Sequence, residues 1–398
     1  MELKQVFRQN KTLFFVTFLG LLSYVIKFVL NAFLIHQLGE VLYGDFSLGF
    51  KMLLLVGGVL LMGTAVTSKR FLNEYMDDDT TSALTDYLSW NFRMIQRMTY
   101  FFFLAFMVFT LYLFILHYTK IHSIYEYPYT VYFVWFSPLA AITSLLASYF
   151  GANQHIIKSI LFRDILINLL MLILFFVCVH LMDLKLNALQ VLLVIFFSYL
   201  LILITELVTM KSTMPRLYRH IPMALFGRNR EYKTEWSHLS KRLFISSIFL
   251  TLVDISAMII LALFADKQDL GLFSAMMILF GFFWTFNLCM SHFFVPNIAP
   301  LVRKGQLSEL VLLYQRVMRF KAAIMIPSLI IFILYIHPIL AIFSPKLQEI
   351  WYYPVILAIT STLVCLISPT TYMLNLMGKE LVNLRLNQVE IMLMWLDH

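Results

Sequence analysis

Gly20, Tyr24, Lys27 and Asn31 recur at helical spacing inside one apolar run, and Ser247, Thr251 and Asp254 do the same inside another. Steps of three and four residues put each set on a single helix face. A charged group deep in apolar surroundings is costly, so it faces a cavity or a partner. Two kinds of chemistry fit this pattern. In one, Lys27 attracts an anionic group, helped by Tyr24 and Asn31, while Asp254 takes up a proton or a sodium ion with Thr251 beside it. In the other, Lys27 and Asp254 form an ion pair that latches two parts of the chain. The two are compatible, because a pair opened by substrate or by protonation couples ion to substrate.

Further polar groups stand in apolar runs. Lys51 either lines the outer part of the same cavity or carries its charge out to the headgroups on its long stem. Asn287, Ser291 and His292 polarise one end of another run, where a histidine either titrates near neutral pH or is satisfied by packing. Glu206 is expected at a membrane interface, and Arg163 with Asp164 as a local pair. Asp77, Asp78 and Asp79 are expected as a solvated cap rather than a metal cluster.

The elements that must position these groups are long and oily. Of 398 residues, 61% are apolar and only 13% charged, and the mean hydropathy is +0.82. A soluble domain is about 45–50% apolar and about 25% charged. Apolar runs lie near 12–35, 46–68, 98–117, 129–150, 160–181, 189–210, 243–265, 271–295, 318–341 and 351–374, and an eleventh begins near 383. Each has the length of a spanning helix rather than a barrel strand. The expected class is an all-α, multi-pass membrane protein whose first run is retained as a helix rather than cleaved as a signal peptide. The three cysteines lie inside such runs, so no disulfide framework, metal site or cofactor is expected. No P-loop, zinc-protease motif, nucleophile elbow or glycine-rich dinucleotide loop occurs, so an enzyme is not expected.

Twenty-four of the thirty basic residues fall on alternate inter-run segments that share one side, four on the other side, and Lys27 and Lys51 within runs. That bias places the N-terminus in the cytoplasm. It also accounts for the net charge of +8 without nucleic acid. The cluster from Tyr118 to Tyr132 then meets the outer interface, as an aromatic belt or as a platform for stacking sugars.

A long repeat is visible. Gly44-Asp45-Phe46-Ser47 recurs as Gly271-Leu272-Phe273-Ser274, 227 residues later, and two further pairs follow at nearly the same offset. The offset spans six runs, an even number, so both halves share one orientation, as in parallel-repeat transporters with substrate bound between halves. Gly20, Tyr24 and Lys27 map under it onto Ser247, Thr251 and Asp254. The expected organisation is a six-helix lobe at 1–210, a polar cytoplasmic linker at 211–242 and a second lobe at 243–398. Counted against the first, the second lobe has four helices and part of a fifth.

Leu38-Gly39, Tyr43-Gly44-Asp45-Phe46-Ser47, the glycines at 57, 58 and 63, Ser68-Lys69-Arg70-Phe71 and Leu374-Asn375-Leu376-Met377-Gly378-Lys379 together resemble the multidrug/oligosaccharidyl-lipid/polysaccharide (MOP) exporter superfamily. Within it, the chain is most similar to polysaccharide flippases of the O-antigen type. The resemblance implies alternating access of two lobes coupled to a proton or sodium ion. The implied cargo is a polyprenyl-pyrophosphate-linked oligosaccharide, an O-antigen or capsule repeat unit. Lys27 would hold the anionic head with Lys51 assisting, and Asp254 would couple the ion. Membrane lipids and glycan polymerase or ligase proteins are the implied partners. A cation-coupled multidrug antiporter, and a truncated non-transporting component of a glycan assembly complex, are the alternatives.

Overall fold

In the computed structural model, the described residues are 11–77, 81–118, 128–153, 155–183, 185–226, 234–303 and 306–367. They form helices and no strands: α1 (Lys11–Leu61), α2 (Thr64–Asp77), α3 (Thr81–Tyr118), α4 (Pro128–Val134), α5 (Ser137–Ala152), α6 (Ile156–Leu181), α7 (Ala188–Thr213) and α8 (Pro215–Phe226). Then come α9 (Thr234–Phe264), α10 (Lys267–Arg303), α11 (Leu307–Leu334), α12 (Ile336–Ala341), α13 (Pro345–Glu349) and α14 (Tyr352–Ile367). The eleventh apolar run, and Asp78 and Asp79, lie outside the described residues.

Among the described residues, six stretches are long and apolar enough to cross a membrane: Phe18–Leu61, Ala83–Tyr112, Ile156–Leu181, Ala188–Thr213, Lys267–Asn287 and Ser308–Leu334. Three shorter apolar helical stretches, Ser137–Ala152, Ile255–Phe264 and Tyr352–Leu366, match the runs expected near 129–150, 243–265 and 351–374. The chain is therefore an all-α, multi-pass membrane protein. At 1.5 Å per residue the 44-residue stretch in α1 would measure roughly 66 Å, about twice a hydrocarbon core. Gly39 divides it, with φ 75° and ψ 166°, a left-handed conformation that a side chain would strain. The first two expected runs are its two arms.

The chain divides into two compact units: Met1–His36 with Ala275–His398, and Gln37–Ser274. In the second unit, one cluster of buried side chains draws on α1, α2, α3, α5, α6, α7, α8 and the start of α9. Trp236 is its hub: the indole N–H donates to the Tyr75 hydroxyl at 3.0 Å, and the ring meets Tyr87 edge-on at 5.3 Å. Segment 211–242, expected as a polar linker, thus supplies Met214, Leu217, Ile221, Ala224 and Trp236 to this core. Pro215 starts α8, which packs on α3 and α7.

The repeat-related glycines meet in the same unit. A Cβ on Gly44 would strike the backbone of Lys267 and Gly271, and one on Gly271 would strike the Glu40 carbonyl, so the two backbones approach with no room for side chains. Beside them the Gln268 amide donates to the Glu40 carboxylate at 2.7 Å. Asp45, next to Gly44, is 1% exposed and fixes α4 from a distance. Its carboxylate accepts from the backbone N–H groups of Tyr129 (2.8 Å) and Thr130 (2.9 Å) and from the Thr130 hydroxyl (2.8 Å). First-turn N–H groups have no partner within their own helix, so Asp45 acts as a cap supplied by another helix.

Candidate functional site

In the first unit, the arm of α1 before Gly39 packs on α10 through Tyr24. The Tyr24 hydroxyl donates to the Ile278 carbonyl at 3.1 Å, and its ring meets Phe282 edge-on at 5.8 Å. Gly281 leaves space for that ring. One turn further, Phe28 meets Phe343 at 5.0 Å in a T-shaped pair. Tyr24, expected to touch substrate, therefore also seats its helix. Asn31 donates its amide to the Lys27 carbonyl at 2.7 Å, the i−4 bond that a short polar side chain makes to its own helix. Lys27 is half-buried on the same arm.

The same unit contains a cation that hydropathy alone misplaces. Lys321 is counted by charge bias as a loop residue, yet it is 1% exposed within α11. Its ammonium donates to Asn287 Oδ1 on α10 at 2.5 Å and to the Cys365 carbonyl on α14 at 3.2 Å. The Cys365 thiol in turn reaches the Phe283 carbonyl at 3.6 Å. Asn287, expected to polarise one end of an apolar run, thus accepts from a buried ammonium. Burying a charge is tolerated when hydrogen-bond acceptors meet it. The available signal was position: Lys321 falls inside the run near 318–341. The helix begins at Leu307, well before that run, so the charge looks peripheral when it is not.

In the second unit, Lys51 is half-buried on the arm of α1 after Gly39. Thr251 donates to the Ser247 carbonyl at 2.9 Å, and Ser247 to the Phe244 carbonyl at 3.0 Å. These two hydroxyls of the expected stripe on α9 are thus bonded within the helix. The side chains of Asp254 and His292 lie outside the described residues. Arg163 and Asp164 form the expected local pair at 3.1 Å. Gly57 packs near Ser137 and Ala141 on α5, whereas Gly58 meets open space.

Two polar features of this unit were not anticipated. Thr67, Ser68, Tyr87, Asn91 and Tyr149 form one buried network, with Tyr87 bonded to Thr67 at 3.0 Å and Asn91 donating to Tyr149 at 3.2 Å. Glu206, expected at an interface, is 0% exposed on α7. Outside the spans, His220 on α8 bonds Thr85 at 2.9 Å. Burial, then the nearby Arg216 charge, holds its imidazole below the ordinary value of 6.5.

No family model matches the sequence, and no curated protein matches it. Solved structures do. An inward-facing multidrug resistance MATE family transporter of the MOP superfamily is similar over 92% of this chain and 82% of its own, with a TM-score of 0.67 at 10% identity. A MATE in complex with MaD3S is similar over 94% of this chain and 83% of its own, with a TM-score of 0.57 at 10% identity. At that identity the likeness is one of architecture: the chain has the helical fold of MATE transporters.

Proposed function

We propose that this protein is a membrane exporter of the MOP type whose cargo is a polyprenyl-pyrophosphate-linked oligosaccharide, moved by ion-coupled alternating access. The observation that carries the reading is the sign of the charge held among apolar helices of the first unit. Lys27 is half-buried on α1 and Lys321 fully buried on α11. A pyrophosphate brings negative charge, and an ammonium in low-dielectric surroundings attracts it far more strongly than in water. The polyprenyl tail requires the bilayer, consistent with a chain of apolar helices. On this reading Lys27 binds the head, and Asp254 with Thr251 takes up the coupling proton or sodium ion.

The test is a strain whose only copy carries Lys27→Ala. Surface polysaccharide should fall severalfold while the protein stays in the membrane at its normal level; undiminished polysaccharide would remove Lys27 from the role.

One observation favours a second reading, a cation-coupled multidrug antiporter: a structural neighbour is a multidrug resistance transporter. Purified protein in vesicles would then move a fluorescent cationic dye against an imposed gradient, which the first reading does not predict.

A further inference from the structure

Glu206 lies seven residues before the end of α7, about 10 Å inside it at 1.5 Å per residue. Cα–Cβ bonds tilt toward a helix N-terminus, so its side chain leans toward the middle of the span rather than the near end. It shares a face with Ile195, Tyr199, Ile202 and Met210, all buried. Both carboxylate oxygens are buried, and neither has a hydrogen-bond partner among the described residues.

Among the described residues, the helices packed most extensively on α7 supply no hydrogen bond to answer it. They are α4, α5, α6 and α8. On α4 the titratable groups are Tyr129 and Tyr132, and on α5 Tyr149, which bonds Asn91. On α6, Arg163 and Asp164 pair with each other, and Lys158, Cys178 and His180 stand away from the middle. On α8, Arg216 donates to the Met76 carbonyl at 3.1 Å, His220 bonds Thr85, Arg219 is exposed and Tyr218 is half-buried. On α7 itself, Tyr199 is two turns away and Lys211 is exposed. None of them hydrogen-bonds Glu206.

An ionised carboxylate in such a place is unsupported, whereas a neutral carboxylic acid tolerates it. We propose that Glu206 is a proton-binding site: it carries its proton in the conformation described here and releases it only when the α7 face opens to water. Its use as a coupling site rests on the transporter reading above; the bound proton does not. Protonation then favours the closed packing of α7, and release favours the open one, because each state of the carboxyl is stable in only one of them.

The test is infrared difference spectroscopy of the purified full chain at neutral pH, wild type minus Glu206→Gln. The expected result is loss of one protonated-carboxyl C=O band, which in heavy water shifts slowly because the group is shielded. Loss of a carboxylate band instead would overturn the proposal. Should the variant not fold, wild type grown on carbon-13 glutamate gives the same answer: a protonated glutamic acid band moves, and absence of such a band overturns the proposal. Neither measurement involves cargo, so a failure of the transporter reading leaves the outcome intact, and the reverse.

Discussion

Lys321 and Glu206 are both ionisable, both buried in membrane-spanning helices, and differently housed. Lys321 has Asn287 and the Cys365 carbonyl as acceptors. Glu206 has nothing. The difference separates two uses of a buried charge. A group with acceptors on two neighbouring helices ties three helices, α10, α11 and α14, to one another. A group without partners is comfortable only when neutral, so its charge state reports whether water can reach it.

Substitutions break or sharpen this contrast in a definite order. The largest effect is expected from Asn287→Leu, which strips the buried ammonium of its shortest bond and should cost about 3–5 kcal/mol, read as a fall in melting temperature of the purified protein. Adding Lys321→Met should recover most of that loss, since an apolar replacement of both partners leaves nothing unsatisfied. A double variant as unstable as the single one would mean Lys321 is not the reason Asn287 matters. Next comes Asp45→Ala, which leaves two buried N–H groups of α4 uncapped and should cost about 3 kcal/mol by the same assay. Glu206→Leu should sit at the other extreme, within about 1 kcal/mol of wild type or more stable, because no partner is lost. A loss as large as that of Asn287→Leu would place an unseen partner at Glu206.

The smallest expected effect is a pH dependence outside the membrane. His220 sits below its ordinary value, so the folded protein disfavours the imidazolium that the unfolded chain accepts readily. The sign follows: above pH 6.5 both states are neutral there and nothing is lost, and as pH falls below 6.5 the docking of α8 weakens. Melting temperatures from pH 7 to pH 5 should drop more in wild type than in His220→Gln. Equal slopes would show that α8 docks without regard to this imidazole.

Much of the fold was legible because hydropathy dictates spans directly: the bilayer sets the length, and ten apolar runs have helical counterparts. Local chemistry that depends on distant segments was not. Gly39 was visible as part of a motif, but its positive φ, which divides one long helix into two arms, is a matter of geometry. The composition of 211–242 is polar, yet polar residues on one face of α8 conceal Leu217, Ile221 and Ala224 on the other. The spacing of Tyr24, Lys27 and Asn31 could be read from the sequence, while the preference of short polar side chains for their own helix carbonyls gave Asn31 a local partner. The burial of Glu206 depends on the helices around α7, whereas Lys321 was misjudged from the run alone. Distance along the chain from a charge-rich segment measures depth only if the helix ends where the apolar run ends, and α11 begins well before its run does.

Reconstitution tests whether this chain moves a lipid-linked oligosaccharide across a bilayer. Purified protein would be placed in vesicles containing a polyprenyl-pyrophosphate-linked oligosaccharide, and the fraction of sugar open to an added glycosidase followed over time. The account predicts that sugar initially sealed in the inner leaflet becomes accessible faster than in protein-free vesicles, and that Lys27→Ala abolishes the difference. Accessibility rising no faster than in protein-free vesicles, while the same preparation expels a cationic dye, would contradict it.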